Sequence, residues 1–178
     1  MFDTLLTLDT NLVVGIASGQ NPWLDPVMLA LTSVGRRGLL WLVLGVLVAW
    51  RWPARLGGLW QLALAICLTW VVVDLIVKPA VGRQRPYTTA ALVSVVGDRP
   101  TSPSFPSGHA ATAFAGALAV GRMWKRGRGA LWGLAALIAF SRVYLGVHYV
   151  SDVAAGALIG TIVAYMATGA TEWDAPAT

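Results

Sequence analysis

The sequence predicts an all-α integral membrane bundle. Of its 178 residues 57% are hydrophobic and only 12% charged, mean hydropathy is +0.67, and the ionisable residues gather between long apolar stretches. A soluble domain carries about 25% charged residues, roughly twice this share. The chain is too apolar for a disordered segment, and its 19 glycines follow no triplet period. One cysteine, Cys67, excludes a disulfide scaffold, and its place in an apolar run predicts a small buried hydrophobe. An excess of 13 basic over 8 acidic residues would suit nucleic acid on a solvated basic face. Here the arginines cluster at the edges of apolar runs, so no nucleic-acid partner is expected.

From the N-terminus, Met1-Phe2-Asp3-Thr4 lacks the basic start of a secretory signal. Over residues 1–35, Leu5, Leu6, Leu8, Leu12, Val13 and Ile16 recur, but Asp3, Asp9, Gly15, Gly19 and Asn21-Pro22 interrupt them. That pattern predicts two amphipathic helices at the interface or against the bundle, with a sixth span over about 11–34 as the alternative. A transmembrane helix needs about 20 mostly apolar residues. Five stretches qualify, at about 36–52, 56–78, 107–123, 129–147 and 149–168. Between them lie Arg51-Trp52-Pro53-Ala54-Arg55, a polar loop over 79–106, a basic turn from Arg122 to Arg128 and a tight turn at His148. Residues 169–178 read as a tail, and the whole chain, 1–178, as one membrane-embedded domain. Gly129 with Gly133, and Gly156 with Gly160, have the spacing of close helix packing, expected within the chain rather than between copies.

The loops at 51–55 and 122–128 share one side and carry six basic residues, against seven on the other. With Lys78, Arg85 and Arg142 set aside for chemistry, the balance is six to four. Trp50, Trp52, Trp60, Trp124 and Trp132 gather on the six-residue side as an interfacial belt would. That side is expected to be cytoplasmic, which places the 79–106 loop on the outer side of the cell (inner) membrane.

Ionisable residues at membrane depth are costly and need a reason. Three clusters hold them. In Lys78-Pro79-Ala80-Val81-Gly82-Arg83-Gln84-Arg85-Pro86, Lys78 and Arg85 suit an anion. A local pair of Lys78 with Asp74, one turn earlier, and an ordinary basic membrane edge fit equally well. In Pro103-Ser104-Phe105-Pro106-Ser107-Gly108-His109, Ser107 and Gly108 open a helix whose first N–H groups favour an anion. Ser107 as a plain cap and His109 as a helix-end histidine are the simpler alternative. In the third cluster, Ser141-Arg142 precedes His148, and Asp152 follows four residues later on the same helical face, able to orient the imidazole. With five spans all three clusters fall on one side, together with both histidines of the chain. The set describes phosphoryl transfer to histidine. Lys78, Arg85 and Arg142 would neutralise the phosphoryl oxygens, His148 would attack, and His109 would protonate the leaving oxygen. No carboxylate cluster or Cys/His spacing suggests a metal site.

The three clusters, in order and spacing over residues 78–152, resemble the signature of the type 2 phosphatidic acid phosphatase superfamily. Asn21-Pro22-Trp23-Leu24-Asp25 to Thr32-Ser33-Val34-Gly35 is similar to the amphipathic segment of its short bacterial members. The resemblance implies a core shared with vanadium haloperoxidases, a site at the outer membrane face and no cofactor. It implies His148 as nucleophile, Asp152 as its partner, His109 as acid, and Lys78, Arg85, Ser107, Gly108 and Arg142 as phosphate ligands. The expected activity is metal-independent removal of a terminal phosphate from a membrane lipid, in cell-wall or phospholipid metabolism. A polyprenyl diphosphate such as undecaprenyl diphosphate is the expected substrate. The alternatives are phosphatidylglycerol phosphate, phosphatidic acid, or a phosphorylated sugar on polyprenyl phosphate. An inactive membrane scaffold or lipid-binding protein would be the reading of another class.

Overall fold

The computed structural model describes residues 2–169, and among these the regular elements are all helical. The expected tail therefore lies, from residue 170 onward, outside the described residues. Helix α1 (Phe2–Ala17) and helix α2 (Asp25–Val34) are separate, so no single helix covers 11–34. The break has a local cause. The Asn21 side-chain oxygen accepts the N–H groups of Trp23 and Leu24 at 3.2 and 3.0 Å, a turn that Pro22 and Gly19 reinforce.

Helix α3 (Leu39–Arg51) starts after Gly38, which has φ +77° and leaves no room for a Cβ beside Ile66 and Thr112. Helix α4 (Gly58–Trp70) runs on through a π-helical stretch, Val71–Val77, into the single turn α5 (Lys78–Val81), which ends at Gly82 with φ +62°. After the short α6 (Pro86–Thr89) the chain crosses the site end irregularly to α7 (Gly108–Met123). Helices α8 (Arg128–Tyr144) and α9 (Val150–Thr168) complete the bundle. Each of the five apolar stretches thus contains one helix of 13 residues or more. The run Pro53–Thr89 and α9 are long and apolar enough to cross a bilayer, and α2 with α3 would make a third span as a bent pair.

Helix α7 is the axis of the bundle, touching α3, α4, α8 and α9. Its sequence explains this position, because alanine and glycine on every face let neighbours approach from all sides. Gly116 lies flat under the Trp41 ring, while on α9 a Cβ at Gly156 or Gly160 would meet the carbonyl oxygen of Ser107 or Ala111 at 2.4 or 2.0 Å. Helices α7 and α9 therefore touch backbone to backbone, as the Gly156/Gly160 spacing predicts. Gly129 and Gly133 have nothing within 4 Å of a built Cβ, so the packing expected of them within the chain is absent. Cys67, expected to be buried, is exposed on the outer face of α4. Both corrections have one cause. Val43, Leu47, Leu75, Ile76, Leu137, Leu158 and Met166 are exposed too, so the outside of this bundle is as apolar as its interior.

Candidate active site

The structure brings the three clusters together at one end of the bundle. Lys78 closes the π-helical stretch, an irregularity common at functional sites, and its ammonium donates to Asp74 at 2.5 Å. The local pair considered from sequence is thus formed. It does not remove Lys78 from the site, because a Cβ on Gly108 would lie 3.4 Å from the Lys78 nitrogen. Ser107 caps α7 with its hydroxyl, accepting the Ala110 N–H at 3.5 Å, while its own N–H donates to the Asp152 carbonyl at 2.9 Å. Ser107 can therefore offer a ligand its hydroxyl hydrogen but not its backbone N–H. Gly108 and His109 occupy the first turn, where N–H groups have no acceptor within the helix.

Arg142, 7% exposed at the end of α8, donates to the Thr32 hydroxyl of α2, while its Nε is buried without a partner. A buried, unpaired donor of this kind suits an anion. Arg85, 5% exposed, donates to the carbonyls of Ser102 at 2.8 Å and Val147 at 2.7 Å. The same guanidinium stands 3.3 Å from His148 Nε2. Burial lowers its pKa, yet an arginine stays cationic at neutral pH.

His148 is 2% exposed, and burial, opposed by Asp152 and aided by Arg85 and Arg142, pushes its pKa down to about 4. The imidazole is therefore neutral at physiological pH. Its Nδ1 lies 3.4 Å from Asp152 Oδ2, near enough for charge attraction but too poorly aligned for a formed hydrogen bond. Catalytic hydrogen bonds are often long before substrate binds. With Nδ1 facing a carboxylate and Nε2 facing a guanidinium, the favoured tautomer carries its proton on Nδ1 and leaves a lone pair on Nε2, the form in which an imidazole can act as a nucleophile.

Asp152 is fully buried, its Oδ2 accepting the Ser104 hydroxyl at 2.5 Å and the Tyr149 N–H at 2.9 Å. Its Oδ1 accepts Arg83 at 2.6 Å. A cavity of about 500 Å³ opens beside the cluster, lined by Lys78, Gly108, His109 and Arg142 together with Thr32, Arg36 and Asp74. His148, Arg85, Ser107 and Asp152 lie outside that lining, although Val147 is part of it. Among the described residues no group of three or more His, Cys, Asp or Glu gathers as metal ligands would.

Sequence reasoning did not single out Arg83, Ser104, Thr32 or Asp9. Ser104 stands inside the second cluster and Arg83 inside the first, so proximity was the available signal. Asp9 and Thr32 come from the N-terminal helices, and only an acid breaking an otherwise apolar face pointed to the former.

Residues 58–174 match the PAP2 superfamily. The decaprenylphosphoryl-5-phosphoribose phosphatase of Mycobacterium tuberculosis is 39% identical over 142 residues, 78% of this chain and 77% of that one. The undecaprenyl-diphosphatase of Sulfolobus acidocaldarius is 28% identical over 150 residues, 80% of this chain and 68% of that one. The crystal structure of Aquifex aeolicus LpxE superposes with a TM-score of 0.75 at 30% identity, covering 88% of this chain and 92% of that one.

Proposed function

The chain belongs to the PAP2 superfamily, and from that premise we propose that this phosphatase works without a metal, through a phosphohistidine, on a phosphorylated sugar carried by a polyprenyl phosphate. The observation that carries the mechanism is His148, neutral and held between Asp152 and Arg85 beside a cavity lined by His109, Lys78 and Arg142. His148 Nε2 attacks phosphorus as the bond to the leaving oxygen breaks, and His109 gives that oxygen its proton. His109 then takes a proton from water, which attacks the phosphohistidine, breaks the P–N bond and releases phosphate. Lys78, Arg85, Arg142, the Ser107 hydroxyl and the N–H groups of Gly108 and His109 hold the phosphoryl oxygens, supplying the positive field that such transfers need. In the resting site Arg85 contacts Nε2, so an arriving phosphate draws that guanidinium onto its own oxygens and uncovers the lone pair.

The cavity supports the choice of a sugar. Asp74 lines it together with Asp98, Ser33 and Thr112, groups that accept from and donate to hydroxyls. The likeness to the decaprenylphosphoryl-5-phosphoribose phosphatase supports the same choice. A polyprenyl diphosphate is the second reading, favoured by Arg36 in the lining, a cation whose pair with Asp98 is long at 3.5 Å and exposed to solvent, and by the likeness to the undecaprenyl-diphosphatase.

The site faces the outside of the cytoplasmic membrane. Arg83 has its partners within the site, so the outer loops keep Arg36, Arg37 and Arg99 against six basic residues opposite. The chain works as one domain, residues 1–178. The test is phosphate release in EDTA by the purified protein from decaprenylphosphoryl-5-phosphoribose, undecaprenyl diphosphate, phosphatidylglycerol phosphate and phosphatidic acid. Fastest EDTA-resistant release from the first supports the proposal, and preference for the second installs the alternative. Release abolished by EDTA, or none from a folded protein, overturns both.

A further inference from the structure

Arg83 lies outside the cavity lining, yet it is bonded to both ends of a chain of charges. One guanidinium nitrogen donates to Asp152 Oδ1 at 2.6 Å and to the Ser151 hydroxyl at 2.7 Å, and the other to Asp9 Oδ2 at 2.8 Å. The guanidinium plane sits over the Tyr149 ring, 3.9 Å from its centroid. Asp9, on α1 and only 8% exposed, also accepts the Ser151 N–H on Oδ1 at 3.1 Å and the Ser151 hydroxyl on Oδ2. A continuous path therefore runs from the N-terminal helix through Asp9, Arg83 and Asp152 to His148.

Simple docking of α1 does not require this arrangement, because Ser151 alone already gives Asp9 two donors. What Arg83 adds is the grip on Asp152 Oδ1. The two oxygens of a carboxylate move together about one torsion, so a fixed Oδ1 keeps Oδ2 facing His148 Nδ1. Released from Arg83, the carboxylate would remain bonded to Ser104 and Tyr149 but could turn its plane away from the ring. An error of that size between an orienting acid and its histidine costs turnover without touching substrate binding.

We propose that Arg83, anchored by Asp9 of the N-terminal helix, is a positioning residue that fixes the plane of the Asp152 carboxylate and so the aim of His148. A docked α1 is then a condition of full turnover. The inference rests on His148 as nucleophile.

The test measures kcat, KM and competitive inhibition by inorganic phosphate for the full chain and for Arg83→Gln, Arg83→Lys, Asp9→Asn and His148→Ala, on the panel lipid that the wild type hydrolyses fastest. Arg83→Gln is expected to lower kcat about 10–100-fold, as loss of an orienting partner does. KM and the phosphate inhibition constant should move by less than about 3-fold, since binding energy is not involved. Arg83→Lys should recover part of the loss by restoring one charged bond. Asp9→Asn, which leaves the Arg83–Asp152 pair in place, should lower kcat less than Arg83→Gln, with phosphate inhibition unchanged. A kcat for Arg83→Gln equal to wild type overturns the proposal. So does a phosphate inhibition constant that rises with the loss, which would make Arg83 a phosphate ligand, or a loss equal to the fraction of unfolded protein. If Arg83→Gln does not fold, Asp9→Asn decides: a lowered kcat supports the positioning role and an unchanged one overturns it. Turnover retained by His148→Ala overturns the nucleophile assignment itself, whereas an inactive His148→Ala beside a normal Arg83→Gln overturns this inference alone.

Discussion

At the site end of the bundle Arg83, Arg85 and Arg142 are drawn inward, each donating to named acceptors from a different part of the chain: Asp9 on α1, Ser102 in the loop, and Thr32 on α2. At the opposite end Arg51 and Arg55 flank Trp52, with guanidinium carbons 5.2 and 4.7 Å from the ring, and Trp50 and Trp60 are 80% and 60% exposed. The first set surrounds the proposed anion site, while the second has the composition of a membrane-interface anchor. Residue type alone does not separate the two uses of arginine, since burial and the identity of the acceptors do.

Substitutions at the two ends should therefore differ by orders of magnitude. The largest effect belongs to His148→Ala, expected to lower kcat by at least about 10⁴-fold with the fold intact, as removal of a nucleophile does. Residual turnover above that would move the nucleophile elsewhere. Arg142→Gln should cost about 10²–10³-fold, the usual effect of deleting one donor from a site that stabilises developing charge. A loss comparable to this from Arg51→Ala would erase the distinction between the ends. Arg51→Ala is instead expected to stay within about 2-fold of wild type, the small effect of an exposed charge far from the chemistry.

The pH dependence sharpens the contrast at the site end. Burial holds the His148 pKa near 4 against an ordinary 6.5, so the proposed nucleophile stays unprotonated down to about pH 4. The acid limb of kcat/KM should then fall near 4, and a limb near 6.5 would mean an imidazole open to water. The sign for stability follows from the same shift. An unfolded chain takes up the proton below 6.5 that the buried ring refuses, so His148 lowers stability as pH falls from 6.5 toward 4 and adds no further loss beneath that.

Much of this is legible in the amino-acid sequence. Long apolar runs allow few alternatives in a bilayer, so the helices corresponding to 36–52, 56–78, 107–123, 129–147 and 149–168 follow from length alone. Lys78, Arg85, His109, Arg142, His148 and Asp152 stood out because ionisable residues are scarce in such a chain. Arg83 did not, because an arginine at the end of an apolar run has the same local sequence whether it anchors to headgroups or grips a carboxylate. Cys67 and the pair Gly129 and Gly133 were misread for a related reason. In water apolarity points inward, whereas in lipid it points both ways, and periodicity no longer tells the packed face of a helix from the exposed one.

The direct backbone contact of α7 with α9, made possible by Gly156 and Gly160, has a consequence for bilayers of different hydrophobic thickness. Helices answer mismatch by tilting, each according to what holds it. Where Gly156 and Gly160 bring the two backbones together there is little deformable side-chain layer, and the pair is expected to tilt as one body. His109 lies in the first turn of one member and Asp152 in the first turn of the other, so their separation is expected to be carried unchanged through that tilt. Lengthening or shortening the acyl chains of reconstituted vesicles should accordingly change KM, through the depth at which a headgroup meets the cavity, while kcat stays nearly level.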